Sequence, residues 1–354
     1  MQKEILIDES TALLQSLIAI ESFSKQEDKT ADAIQAYFES KGIRANRKLN
    51  NVWAYNKYFN PELPSILLNS HHDTVKPVQG WTLDPFEPLI QDGKLFGLGS
   101  NDAGASLVSL ITTFLHFYEK RDLKYNLCIA ATAEEENSGL NGLELVLPDL
   151  GKMEFAIIGE PTQMHLAIAE KGLMVLDCVV TGKSGHAARE EGDNAIYKAL
   201  RDIQWFNTFQ FPKVSEFLGP VKMSVTMIQA GIQHNVVPDR CTFTVDVRVT
   251  DVYKNEEVLE LIKQYVQSEV HPRSVRLKSS SISKEHPIVQ AGSRLGRQLY
   301  GSPTSSDQAL INFPSLKMGP GDSSRSHTAN EFIYLDEIKE GINLYIQLLN
   351  QVLY

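Results

Sequence analysis

Apolar positions recur at two different periods along the chain. Leu13, Leu14, Leu17 and Ile18 follow helical spacing, and so do Ala33, Ile34, Tyr37 and Phe38, with Gly42 as a stop. Short unbroken apolar runs then alternate with helical stretches: Ile66-Leu67-Leu68 as a strand, Ala105 to Tyr118 as a helix, Leu127 to Ala131 and Phe155 to Ile158 as strands. Strands that are apolar throughout belong to a largely parallel sheet covered on both faces, which makes this part an α/β domain.

From residue 173 the period changes to two. Leu173 to Thr181 reads as a strand, Asn194 to Phe206 as a helix, and Val221 to Met227 as an alternating strand. Cys241 to Val249 alternates more cleanly, Glu256 to Val266 is helical, and Val275 to Ile282 is expected as a final strand. The order βαββαβ is the ferredoxin-like split unit. After Pro287 the α/β style returns, with helices over Ile288–Tyr300 and Leu335–Leu353 and a strand near Ser315–Met318. The expected organisation is a domain of residues 1–171 plus 284–354 interrupted by a second domain of residues 172–283.

The chain has 354 residues and a formal net charge of −10, with no long basic run. Such a surface disfavours a nucleic-acid partner. No stretch of about 18 apolar residues argues for a membrane span, and the acidic start is unlike a signal peptide. Cys128, Cys178 and Cys241 are far apart in strand-like runs and read as buried thiols of a reducing, cytoplasmic compartment.

Chemistry-bearing residues gather at the ends of the apolar strands. Ser70-His71-His72-Asp73 follows the first; along an extended chain His71 and Asp73 share a face, so the carboxylate can fix the imidazole's tautomer. Gly97-Leu98-Gly99-Ser100-Asn101-Asp102-Ala103-Gly104 has neither the GxGxxG spacing nor a phosphate-loop lysine, and Asp102 is either the N-cap of the next helix or a ligand. Glu134-Glu135-Glu136, Glu160 and the Asp322–His327 loop each follow a strand as well. Ligands of α/β sheets bind at the carboxyl ends of strands. Two histidines and three carboxylates (His71, Asp102, Glu136, Glu160 and His327) fit two zinc ions with one bridging acid, leaving a spare glutamate as base for amide hydrolysis. No GxSxG elbow points to a serine hydrolase, and a binding module that keeps the fold without turnover is the other alternative.

Taken together, these segments resemble the dinuclear zinc amidohydrolases, the family of acetylornithine deacetylase, succinyl-diaminopimelate desuccinylase, aminoacylase and bacterial glutamate carboxypeptidase. Ser70–Val75 resembles the family's GHxDTV element, Gly99–Asp102 its GxSD loop, Thr132–Glu136 its TADEE element, Gly159–Thr162 its GEPT element, and Gly319–His327 its terminal histidine loop. The resemblance implies that His71 and Glu160 bind one zinc, Glu136 and His327 the other, and Asp102 both, with Co2+ or Mn2+ as substitutes. It implies Asp73 as orienter of His71 and Glu135 as base; a one-residue slip would make Glu134 the base and Glu135 the ligand. It further implies that residues 172–283 form a lid through which a homodimer assembles, with His186 supporting the oxyanion and Asn235 in a substrate loop. Arg248 and Arg325 are candidates to hold a substrate carboxylate. Ser70, His72 and Asn101 depart from the family pattern, and His72 is a candidate for stray metal binding. The expected activity is deacylation of a small N-acyl-L-amino acid, of the acetylornithine deacetylase type that serves arginine biosynthesis; the alternative is an N-succinyl-amino-acid desuccinylase, such as that for succinyl-diaminopimelate, or a dipeptidase or carboxypeptidase of the same family.

Overall fold

Three largely apolar runs, buried throughout except at Glu154, lie at the centre of the sheet in the computed structural model, which describes residues 2–354. They are the parallel neighbours Ser65–His71, Asn126–Thr132 and Met153–Ile158, with the first in the middle, and Ser315–Lys317 adds a fourth parallel strand beside Met153–Ile158. Antiparallel strands extend the sheet on both sides: Asn51–Tyr55 beside Asn126–Thr132, and Leu166–Glu170 beside Ser315–Lys317. The result is a large α/β sheet with a parallel centre. A strand buried on both faces has no polar side to show, which is why these runs read as continuous rather than alternating.

The helix Ala105–Phe117 packs on Gln2–Ile18 and on the terminal helix Leu335–Leu353. Its Phe114 meets Phe38 of the helix Asp28–Ser40 edge to face, 6.3 Å between ring centres. Gly159, just past a strand end, sits where a Cβ would come within 2.8 Å of Leu110 and 3.0 Å of Ser70. Only glycine allows that approach of strand to helix.

The chain divides into two compact units, one of residues 1–168, 282–300 and 306–354, the other of residues 169–281 and 301–305. In the second, four antiparallel strands lie in the order Lys222–Ala230, Arg240–Val249, Gly172–Thr181, Glu269–Pro272, with the helices Ala195–Thr208 and Asn255–Tyr265 in the connections. The two long central strands alternate between buried and half-buried positions up to their exposed ends at Thr181 and Arg240. Met174, Leu176, Cys178, Phe243, Val245 and Val247 share one core with Ala199, Phe206, Val258 and Ile262 of the helices. The βαββαβ order is the expected one, but its last strand is Glu269–Pro272. Of the stretch Val275–Ile282 only Ser280–Ser281 is a strand, paired with Glu170 and Ala169. Likewise the helix expected over Ile288–Tyr300 ends at Arg294 and gives way to the strand Leu299–Ser302. Gly296, at φ 75°, terminates it. All three cysteines are free and buried. Among the described residues no helix is long and apolar enough to cross a membrane.

Candidate metal centre

The carboxyl ends of the parallel strands converge on His71, the last residue of its strand and 2% exposed. Its Nδ1 donates to the main-chain carbonyl of Asp73 at 2.9 Å, with the Asp73 carboxylate 3.5 Å away. That leaves Nε2 as the metal-facing nitrogen. Nε2 is buried without a hydrogen-bond partner, yet Asp102 Oδ1 lies 3.4 Å from it and Glu135 Oε2 and Glu160 Oε1 each 3.9 Å. The other oxygen of Asp102 faces His327 Nε2 at 3.6 Å, and that nitrogen meets Glu136 Oε2 at 3.0 Å. A buried nitrogen aimed into a ring of carboxylate oxygens, with one acid shared between two imidazoles, is a donor set that suits a pair of divalent cations. Ligand atoms of His71, Asp102 and Glu136, and again of His71, Glu135 and Glu160, fall within 4.8 Å of one another.

Each group is placed by its backbone. Asp102 lies in the turn ahead of Ala105–Phe117 and does not cap that helix, whose N-cap position is Gly104. The Asp73 carboxylate accepts the main-chain N–H of Glu135 at 3.0 Å and of Glu136 at 3.1 Å, besides the Ser24 hydroxyl at 2.7 Å. It therefore shapes the glutamate loop as well as neighbouring His71. Glu134 is at φ 55° and turns away, its carboxylate accepting from the Asn141 side chain at 2.8 Å. Glu135 and Glu136 face the histidines. His327 is also in the left-handed region, φ 57°, and its side chain is 52% exposed.

The concentration of acids shows in the titration of the protein without metal. Burial pushes Glu135 well above the usual carboxylate range, and the charges of Glu160, Asp307 and Glu136 add to this. Burial would depress His71, but the carboxylates of Asp102 and Asp73 beside its two ring nitrogens and the charge of Glu135 override it and hold the imidazole well above 6.5. His327 is raised to about 9 by its bond to Glu136.

A sequence model of Peptidase family M20/M25/M40 matches residues 67–351. The chain belongs to this family. It is 24% identical over 374 residues to a succinyl-diaminopimelate desuccinylase of Wolbachia pipientis subsp. Culex pipiens (strain wPip), covering 97% of this chain and 93% of that one. Aminopeptidase PepT from Bacillus cereus shares the fold with a TM-score of 0.78 at 19% identity, over 99% and 98% of the two chains. A dinuclear metal-binding M20 peptidase from Bacillus subtilis does so with a TM-score of 0.75 at 17% identity, over 99% of each. As an M20 enzyme the protein is a metal-dependent hydrolase of amide bonds.

The remaining residues expected at the M20 site divide between the units. His186, Asn235 and Arg248 all lie in the second. Gly185–His186 pairs with Val236–Val237, and Ala187 N donates to the Asn235 carbonyl at 3.0 Å, so His186 and Asn235 are neighbours on one small ribbon. Arg248 is held by Asp246 through Nε at 2.9 Å and Nη2 at 3.1 Å. Arg325 lies in the first unit. Its guanidinium is gripped at both ends by Glu337, at 2.8 and 2.6 Å, and lies over Phe332. His72 corrects an expectation: both ring nitrogens are used inside the core, on Thr30 and the Asn50 carbonyl, and neither is open to a stray ion.

Three buried acids escaped the reading of the sequence. Glu27 accepts from Asn50 and from the amide of Glu134. Asp307 accepts from Asn69 at 2.9 Å and Thr132 at 2.7 Å, and burial raises it to about 6. Glu331 accepts three amides of the Asp102 turn. Asp307 and Glu331 are lone acids and Glu27 stands beside Asp28, each by composition indistinguishable from a solvated acid.

Proposed function

We propose that the protein is a zinc-dependent hydrolase of N-acyl-L-amino acids that cleaves the amide between acyl group and amino nitrogen. The observation that carries this reading is the division of the Asp102 carboxylate between His71 and His327, each with a further acid beside it. In this reading His71 and Glu160 hold one zinc ion, Glu136 and His327 the other, and Asp102 both; Co2+ or Mn2+ would suit the same donors. When bound, the ion pair supplies an acidified water and polarises the acyl carbonyl. Glu135, buried between His71 and Glu160, takes the proton of the attacking water and returns it to the leaving nitrogen. Its raised pKa suits both halves of that transfer. Asp73 keeps His71 and the Glu135–Glu136 backbone in place. His186 and Asn235, on their common ribbon, are assigned to the oxyanion and the substrate, and Arg248 to a substrate carboxylate, for which it must give up part of its hold on Asp246.

For the substrate, the expectation of an acetylornithine deacetylase in arginine biosynthesis yields to its alternative. Several relatives are named succinyl-diaminopimelate desuccinylases, among them one from Psychromonas ingrahamii, 23% identical over 375 residues. N-succinyl amino acids are therefore the first substrates to test, with N-acetyl derivatives and dipeptides beside them. The second unit is assigned the role of lid and dimer contact. Its edge strand Lys222–Ala230 is paired on one side only among the described residues, with Met227 and Ile228 exposed, and Tyr197 and Leu200 are exposed on the helix Ala195–Thr208. An unpaired edge of nine residues with two exposed apolar side chains calls for a partner, here a second copy, and light scattering of Ile228→Asp against the parent tests this. A cytoplasmic location is part of the proposal and rests on the free buried thiols.

The test is a panel of succinyl and acetyl derivatives of ornithine, citrulline, lysine and diaminopimelate, assayed with zinc, with chelator, and with zinc restored. Zinc-dependent release of free amino acid is expected. Turnover that survives chelation, or an active preparation with a metal content near zero, sinks the proposal.

A further inference from the structure

Glu331 lies four residues after His327 and is 2% exposed. Its carboxylate accepts three main-chain N–H bonds from a single turn: Oε1 from Asn101 at 2.8 Å and Asp102 at 2.9 Å, Oε2 from Gly99 at 3.2 Å. Converging amides of this kind form an anion-binding concavity, and here the chain fills it with its own acid. Gly99, at φ 75°, supplies the left-handed residue that lets the turn present these amides together. The main chain is tied at the same place, Gly97 N donating to the Glu331 carbonyl at 3.0 Å. The turn ends in Asp102, whose Oδ2 stands 3.6 Å from His327. One side chain thus links the loop that carries the shared acid to the segment that carries one of the two histidines.

We infer that Glu331 is a positioning residue of the metal centre, fixing Asp102 between His71 and His327 through the backbone of the Gly99–Asp102 turn. The inference rests on the dinuclear reading proposed above. A carboxyl group suits the task because its two oxygens together accept all three amides. Glutamine has the same size but turns an NH2 group toward amides that can only donate. At least one of them then loses its acceptor, and the turn shifts.

The experiment compares the full-length parent with Glu331→Gln, stripped of metal and titrated with Co2+, following the visible absorption of the bound ions and the number bound. The parent is expected to bind two ions. Glu331→Gln, folded by circular dichroism, is expected to lose about 10- to 100-fold in affinity for at least one ion, with an altered spectrum. With saturating metal its kcat should fall while KM changes little. Glu331→Asp, whose shorter side chain cannot reach all three amides, should lie between the two. It carries the same comparison where the glutamine variant does not fold. A folded variant that binds two Co2+ ions with the affinity and spectrum of the parent overturns the assignment of Glu331. A parent that binds fewer than two ions overturns the dinuclear reading itself, and the inference with it.

Discussion

His72 makes a prediction whose size follows from its surroundings. Its Nε2 faces the Asn50 carbonyl at 2.8 Å and must donate, so the neutral ring accepts at Nδ1 when the Thr30 hydroxyl, 2.9 Å from it and 3.0 Å from the Glu27 carbonyl, turns its one proton to the ring. Burial depresses its pKa from 6.5 to about 4. Because the folded value lies below the unfolded one, the unfolded chain takes up this proton first as pH falls. The stability tied to the neutral ring is present above about pH 6.5 and is lost progressively down to about pH 4. A gap of roughly 2.5 units at about 1.4 kcal/mol each is worth about 3 kcal/mol in full, of which about 2 kcal/mol is lost between pH 7 and 5. The perturbation is His72→Gln, which keeps a donor for Asn50 and an acceptor for Thr30 but cannot titrate. The assay is urea unfolding of both proteins in chelator across pH 8 to 5. The stability difference between parent and variant should move against the parent by about 2 kcal/mol over that range. A difference independent of pH would refute the argument that burial holds this ring neutral.

Two further substitutions separate the roles of neighbouring residues. Glu135→Gln should lower kcat by a factor of at least about 10² while the protein still binds close to two metal ions, whereas Glu136→Gln should lose metal; the reverse pattern, read by metal analysis and kinetics, would return the base to the other register. Arg325→Met and Glu337→Gln should each destabilise the protein by about 1 kcal/mol and, combined, by less than their sum, because either one breaks the same bidentate pair. Strict additivity in thermal unfolding would show that the pair is not coupled.

The strands and helices of the first unit were legible because continuous burial leaves a continuous apolar run, and Ile66-Leu67-Leu68 or Phe155–Ile158 can hardly be read otherwise. The same reasoning failed at Val275–Ile282, where no long-range pairing partner is visible in a local pattern and the sheet takes Glu269–Pro272 instead. The acids and histidines at strand ends were legible by position. What those residues bond to was not. Arg325 stands two residues before His327, and its pairing with Glu337, twelve positions on, depends on a turn and a strand between them. His72 illustrates the period-two rule: it points opposite to His71, and that face is the core rather than the site. Asp73 was expected to serve His71 alone, yet its carboxylate reaches across 62 and 63 residues of sequence to the amides of Glu135 and Glu136.

The acids around the site belong to two sets, and the distinction has a measurable consequence. Asp102, Glu135, Glu136 and Glu160 lie near the histidines. Glu27, Asp73, Glu134, Asp307 and Glu331 hold the surrounding loops through amide, hydroxyl and side-chain N–H donors. An arginine could satisfy a carboxylate as well, but it would cancel the charge. A neutral donor satisfies the carboxylate and leaves its field in place for a cation. Without metal, protons must supply part of the missing positive charge. Burial with the neighbouring charge of Asp102 raises Glu331 to about 8, His327 is raised to about 9, and Glu135 and His71 lie well above their ordinary values. Metal ligands must be deprotonated, so loading the site at pH 7 should expel protons, on the order of two per chain, and fewer as the pH rises toward 9. Calorimetric titration of the stripped protein with Zn2+ in buffers of different ionisation enthalpy counts them. Metal uptake at pH 7 with no release would mean that the acids are already ionised and that the loops, rather than protons, absorb the repulsion.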